Sequence, residues 1–144
     1  MESSTYGVIL HWAMSEENVE IVRAAIDAYN RGDHEAALKD AAPELEYDLS
    51  RATGPLPGVY ARDQVVPFLS EFAENWQSVR IEPHEFIEVG EQVIVPWTAH
   101  MMGRDGIEVQ ARVAWTWTIR EGRVERLCMY QEREEALEAA GLSE

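Results

Sequence analysis

Two periodicities divide the chain. From Val19 to Tyr29 the apolar positions Val19, Val22, Ala25, Ile26 and Tyr29 recur at helical spacing. Ser15 precedes them as a hydroxyl cap, and Glu16 and Glu17 place acids in the first turn, where the helix dipole favours them. Gly32 supplies the stop. His34 to Ala41 predicts a second, shorter helix before Pro43, and Leu45 to Leu49 then alternates as a strand. "RATGPLPGVY" at 51–60 carries paired glycines and prolines and reads as a loop. A third helix is expected from about Arg62 to Trp76, with Val65, Val66, Leu69, Phe72, Ala73 and Trp76 on one face.

After Gln77 the period becomes two. Strands are expected at 79–88, 92–102, 107–119 and 123–132, with turns at Gly90, Asp105-Gly106 and Glu121-Gly122. In the third strand Ile107, Val109, Ala111, Val113, Trp115, Trp117 and Ile119 share one face. Glu108, Gln110, Arg112, Ala114, Thr116 and Thr118 share the other. "EREEALEAAGL" at 132–142 closes the chain as a helical turn or two. Helices followed by an antiparallel meander define an α+β class, with the helices on one face of the sheet.

Length and charge narrow the picture. The 144 residues suit one domain, expected over 14–144. Residues 1–13 have no clear period and read as a loose arm, or as an extension upstream of a working start at Met14. No apolar run approaches the ~18 residues that span a bilayer. The first residues lack a basic region and a long enough apolar stretch for a secretion signal, so the expected location is cytoplasmic. With 27 acidic and 12 basic residues the net charge is -15, which repels nucleic acids and anionic membranes. The single cysteine, Cys128, excludes an internal disulfide, and it sits in an apolar strand pattern as a buried thiol. His11, His34, His84 and His100 have no His or Cys partner at metal-ligand spacing, so no metal site is expected.

Several stretches resemble the SnoaL-like branch of the nuclear transport factor 2-like, or cystatin-like, superfamily. They are "ENVEIVRAAIDAYNRGDHEAAL" at 17–38, "PELEYD" at 43–48, "GVYARDQVVPFL" at 58–69 and "TWTIREGRVERLCMYQEREEALEAAGL" at 116–142. The resemblance implies helices packed into a curved antiparallel sheet that forms a conical cavity. It also implies a small hydrophobic ligand, no metal, no organic cofactor and a homodimer paired through the outer sheet face. That face carries Arg112, Ala114, Thr116 and Thr118.

The relatives' reactions need particular acids. Ketosteroid isomerases use an Asp base, a helix Tyr and a protonated strand Asp. The matching positions here hold Ala25 for the Tyr, and Ala111 or Arg112 for the strand Asp. Asp48 stands at, or one residue before, the base. The Asp-Arg-Asp set of limonene-type epoxide hydrolases falls on Thr98, His100 and Cys128 or Met129. The remaining catalytic candidates are His100 and Asp48. A two-residue turn at Asp105-Gly106 would set His100 opposite Ala111 and point its ring into the cavity, as a general base. Asp48 would serve as base or as the orienter of His100. The plainer alternatives are a core or interface histidine and a strand-end acid that caps the next loop.

Candidate ligand contacts are Tyr29, Tyr47, Phe72, Trp76, Trp97, Arg112, Val113, Trp115 and Met129. The tryptophans could stack on a ligand or simply fill the core. Arg112 could anchor a carboxylate or pair with Asp48 or Glu108. Three classes of function stay open: a cofactor-free hydrolase, lyase or isomerase; a non-catalytic binder of small ligands; and a structural homodimer.

Overall fold

The computed structural model describes residues 17–51 and 58–141. The expected arm at 1–13, the Ser15 cap and most of the 51–60 loop lie outside them. Helix α1 spans 17–30 and buries Val22, Ala25, Ile26 and Ala28. It ends at Gly32, whose φ of 81° lets its amide bond the Tyr29 carbonyl at 2.9 Å. Asp33 then accepts the Ala36 amide at 3.1 Å and starts α2, His34–Ala37.

This second helix is shorter than its sequence predicts because strand β1, Ala41–Asp48, begins earlier. Ala41 pairs with Val124, and the ladder resumes at Glu46 with Arg126 after an irregularity. Pro43 sits inside that irregularity, where its missing N–H costs no ladder bond. Strand β2, Val59–Ala61, was expected to be loop and instead pairs antiparallel with β1. Helix α3, Arg62–Glu74, follows directly.

The remaining strands are β3 (Ser78–Pro83), β4 (Ile87–Val89), β5 (Gln92–Met102), β6 (Glu108–Arg120) and β7 (Arg123–Tyr130). The expected strand at 79–88 is thus two pieces. Pro83 pairs with Trp97 and Ile87 with Ile94, so one extra residue bulges out between them, and both pieces stay on β5. The curved, unclosed sheet has seven strands in the order β2-β1-β7-β6-β5-β3, with β4 beside β5. One neighbour pair departs from the antiparallel expectation: β1 and β7 run parallel. A parallel neighbour needs a long crossover, and the whole segment from α3 through β6 supplies it.

Alternation along β5 and β6 sorts the two faces of the sheet. Val95, Trp97, Ala99, Trp115 and Trp117 turn to the concave side and join Ile26 of α1, Tyr47 of β1 and Val65 of α3 in the main core. Ile94, Ala114, Cys128 and Tyr130 turn to the convex side. There helix α4, Arg133–Ala139, lays Ala136 and Leu137 over them. The convex face expected to meet a second copy is therefore partly covered by the chain's own C-terminal helix. Cys128 is buried in this layer, and burial pushes its thiol above the ordinary range. No helix among the described residues is long and apolar enough to cross a membrane.

Candidate functional site

The helices do not fill the concave face of the sheet. They leave a cavity of about 800 Å³, a size that accommodates a small organic ligand. Its sheet wall is a row of indoles. Trp97 stacks on Trp115 at 4.1 Å between centroids, and Trp115 meets Trp117 edge-on at 5.5 Å. The wall exists because β5 and β6 place Trp97 opposite Val113, and Val95 opposite Trp115, so side chains of adjacent rungs interleave. The helical wall comes from α3. Tyr60 of β2 stacks on Phe68 at 4.5 Å, and Phe68, Phe72 and Trp76, just past the helix, continue at 6.4 Å intervals. Val65 is the only fully buried residue of α3. Phe68 and Phe72 of this helix are only partly buried and line the cavity.

The polar groups in the lining are few and almost all neutral. Trp115 donates its indole N–H to the Tyr47 hydroxyl at 3.1 Å, which leaves the Tyr47 O–H free to donate in turn. Burial raises the Tyr47 phenol well above its ordinary range and pushes Tyr29 up to about 12. Both phenols therefore stay protonated at neutral pH. The indole N–H groups of Trp97 and Trp117 are sealed from solvent without a hydrogen-bond partner. Glu71 and Asn75 of α3 stand at the exposed edge of the lining. Glu71 is the only ionised side chain along it among the described residues.

Eight of the expected contacts line the cavity: Tyr29, Tyr47, Phe72, Trp76, Trp97, Val113, Trp115 and Met129. Arg112 does not. It lies opposite Thr98, on the convex side. His100 is also on the convex side, against expectation. The hairpin between β5 and β6 does not turn on Asp105-Gly106 alone. The Gly103 amide bonds the Ile107 carbonyl at 2.8 Å, so the turn takes in Arg104, Asp105 and Gly106, with Gly106 at φ 86°. The register becomes Ala99 to Ala111 and His100 to Gln110. A slip of one residue reverses a side chain's face. His100 Nε2 instead lies 2.7 Å from Glu82 Oε1, and this contact holds the Glu82 carboxyl below its ordinary range.

Asp48 is the second correction. It shares the convex side with Cys128, its partner in register. Burial raises its pKa, but bonds from the Ser50 hydroxyl at 2.6 Å and the Ser50 amide at 2.9 Å work the other way. Arg126 adds a contact at 2.8 Å, and the net direction is down. A carboxylate so occupied is a weak base. Arg126, not Arg112, is its cation. The structure does not bring Asp48 and His100 together: the first is held by Ser50 and Arg126, the second by Glu82. Among the described residues no three His, Cys, Asp or Glu side chains converge as a metal site would require.

Sequence reasoning missed Tyr60, Phe68, Glu71, Asn75 and Trp117 as parts of the lining. Phe68 was legible, since Val65, Phe68, Leu69, Phe72 and Trp76 follow one helical stripe. Glu71 and Asn75 lie four apart on the flank of that stripe, where a helix meets the edge of whatever it covers.

Residues 22–127 match the family model of the SnoaL-like domain, and the chain belongs to that family. No functionally curated protein matches it. Among solved structures it is similar to an NTF2-like protein of unknown function from Burkholderia pseudomallei K96243. That pair is 24% identical over 85% of this chain and 95% of the other, with a TM-score of 0.70. It is similar to TerC, a protein co-crystallised with polyporic acid, at 23% identity over 87% of this chain and 98% of TerC, with a TM-score of 0.71. A putative polyketide cyclase from Xanthomonas campestris pv. campestris is 19% identical over 87% of this chain and 97% of its own, with a TM-score of 0.66. At these identities the likeness is one of fold, and fold does not carry a reaction with it.

Proposed function

We propose that this chain takes a small, largely apolar molecule into its cone and holds it there without acid–base chemistry by His100 or Asp48. One observation carries the reading: a cavity of about 800 Å³ whose lining is aromatic and aliphatic, with Glu71 at the edge as its only ionised group among the described residues. Burying a ligand there removes apolar surface on both partners, worth roughly 25 cal/mol per Å². The protonated phenols of Tyr29 and Tyr47 offer hydrogen bonds to a ligand oxygen. Neither expected catalytic residue lines the space, which weighs against the hydrolase, lyase and isomerase readings and for the binding one.

The test is calorimetric titration with a panel of small aromatic molecules, polyporic acid among them, against the native chain and Ala111→Trp. Ala111 lies half-buried on the cavity wall, so the added indole occupies ligand space without displacing core. Micromolar binding that Ala111→Trp abolishes supports the reading. Equal binding to both proteins places the ligand elsewhere and sinks it.

A further inference from the structure

We propose that the cone prefers an apolar molecule carrying one amino group, with its rings among the tryptophans and its ammonium at the Glu71 edge. The inference rests on the binding reading above and sharpens it to a charge class. Three observations point the same way.

The first is the composition of the lining. It contains no Lys, Arg or His among the described residues, so a ligand carboxylate or phosphate entering it would find no cation. The second is the aromatic wall. Trp97, Trp115 and Trp76 line the space, and an indole face attracts a cation. The third is Glu71 itself. Asn75 Nδ2 bonds the backbone carbonyl of Glu71 at 3.3 Å, and among the described residues nothing pairs with its carboxylate. Glu71 is exposed, so an ammonium beside it keeps part of its hydration and avoids the cost of burying a charge.

Arg104 and His34 contact α3 near this edge, and both are engaged with other groups. Arg104 donates to the Glu74 carbonyl at 2.6 Å and 3.2 Å. His34 stacks on Tyr29 and faces the Ser70 hydroxyl at 3.4 Å. Around them the protein carries a net charge of -15, which concentrates cations near its surface and depletes anions.

Three probes of one ring system separate the alternatives: naphthylmethylamine, naphthalenemethanol and naphthoate, each titrated calorimetrically at low salt. The amine should bind roughly tenfold tighter than the alcohol, the combined scale of one cation–π contact and one exposed ion pair. Naphthoate should bind weakest. At roughly 1 M salt, where screening acts within about 3 Å, the amine-to-alcohol ratio should fall towards one. Glu71→Gln should lower the same ratio, while Glu134→Gln, an equal charge change on α4, should leave it where it was. An alcohol that binds as tightly as the amine, or a ratio indifferent to Glu71→Gln, overturns the charge preference and leaves the binding reading standing. If no probe binds, the binding reading falls and takes this inference with it.

Discussion

The two faces of β5 are built from one run of sequence and share almost nothing chemically. Trp97, Ala99 and Met101 line the cavity. Thr98 and His100 alternate with them on the convex side, where Thr98 meets His84 at 2.6 Å and His100 meets Glu82 at 2.7 Å. The contrast extends across the sheet. The buried polar residues among those described are Asp48, Thr98 and Thr116, and all three lie on the convex face. Asp48 and His100 are therefore tied into structure outside the cone, while the cone, apart from Glu71 at its edge, keeps neutral donors and aromatic surface. In β1 and β5 it is the side of the strand, set by register, that keeps Asp48 and His100 out of the cavity lining.

Trp115→Ala should break the concave side most severely. It opens a void beside Trp97 and strands the buried Tyr47 hydroxyl, so a loss of roughly 3–5 kcal/mol is expected. Urea denaturation would measure it, and a loss under about 1 kcal/mol would mean that the indole row does not hold the wall together.

On the convex side the larger effect belongs to Asp48. Asp48→Ala removes the acceptor of Ser50 and Arg126, and roughly 1–3 kcal/mol should go with it. The pH dependence follows from the direction of its shift. The folded pKa lies below the unfolded one, so the contribution is complete above the ordinary carboxyl range near pH 4 and is lost as pH falls through the folded value. Asp48→Asn should flatten that acid limb of stability. An unchanged acid limb would show that other carboxylates dominate it.

His100→Ala should matter least. Its partner Glu82 is exposed, and water screens a surface contact of that kind, so stability should change little. Ligand affinity should not change, because the ring lies behind the sheet. A large loss of affinity would put His100 back in the site and undo the contrast between the two faces.

Much of this was readable from periodicity. The helical stripe of α1, the stop at Gly32 and the indole face of β6 follow from spacing alone, since side-chain direction repeats with a fixed period in each element. That α3 would present Phe72 and Trp76 inward followed in the same way. Of the nine candidate contacts, all but Arg112 line the cavity.

Relations between elements could not be read this way. The face of His100 depended on whether Arg104 joins the turn, a choice made where the β5 and β6 ladder closes. The parallel pairing of β1 with β7 depended on contacts far apart in the chain, as did the cover that α4 lays over Ala114. Which residues share a face was legible in the chain, because that is a property of local backbone geometry. Tertiary pairing is what shut His100 and Asp48 out of the cavity. Register and packing are settled by the summed burial of distant segments, and a one-residue shift in that sum moves a histidine from one side of the sheet to the other.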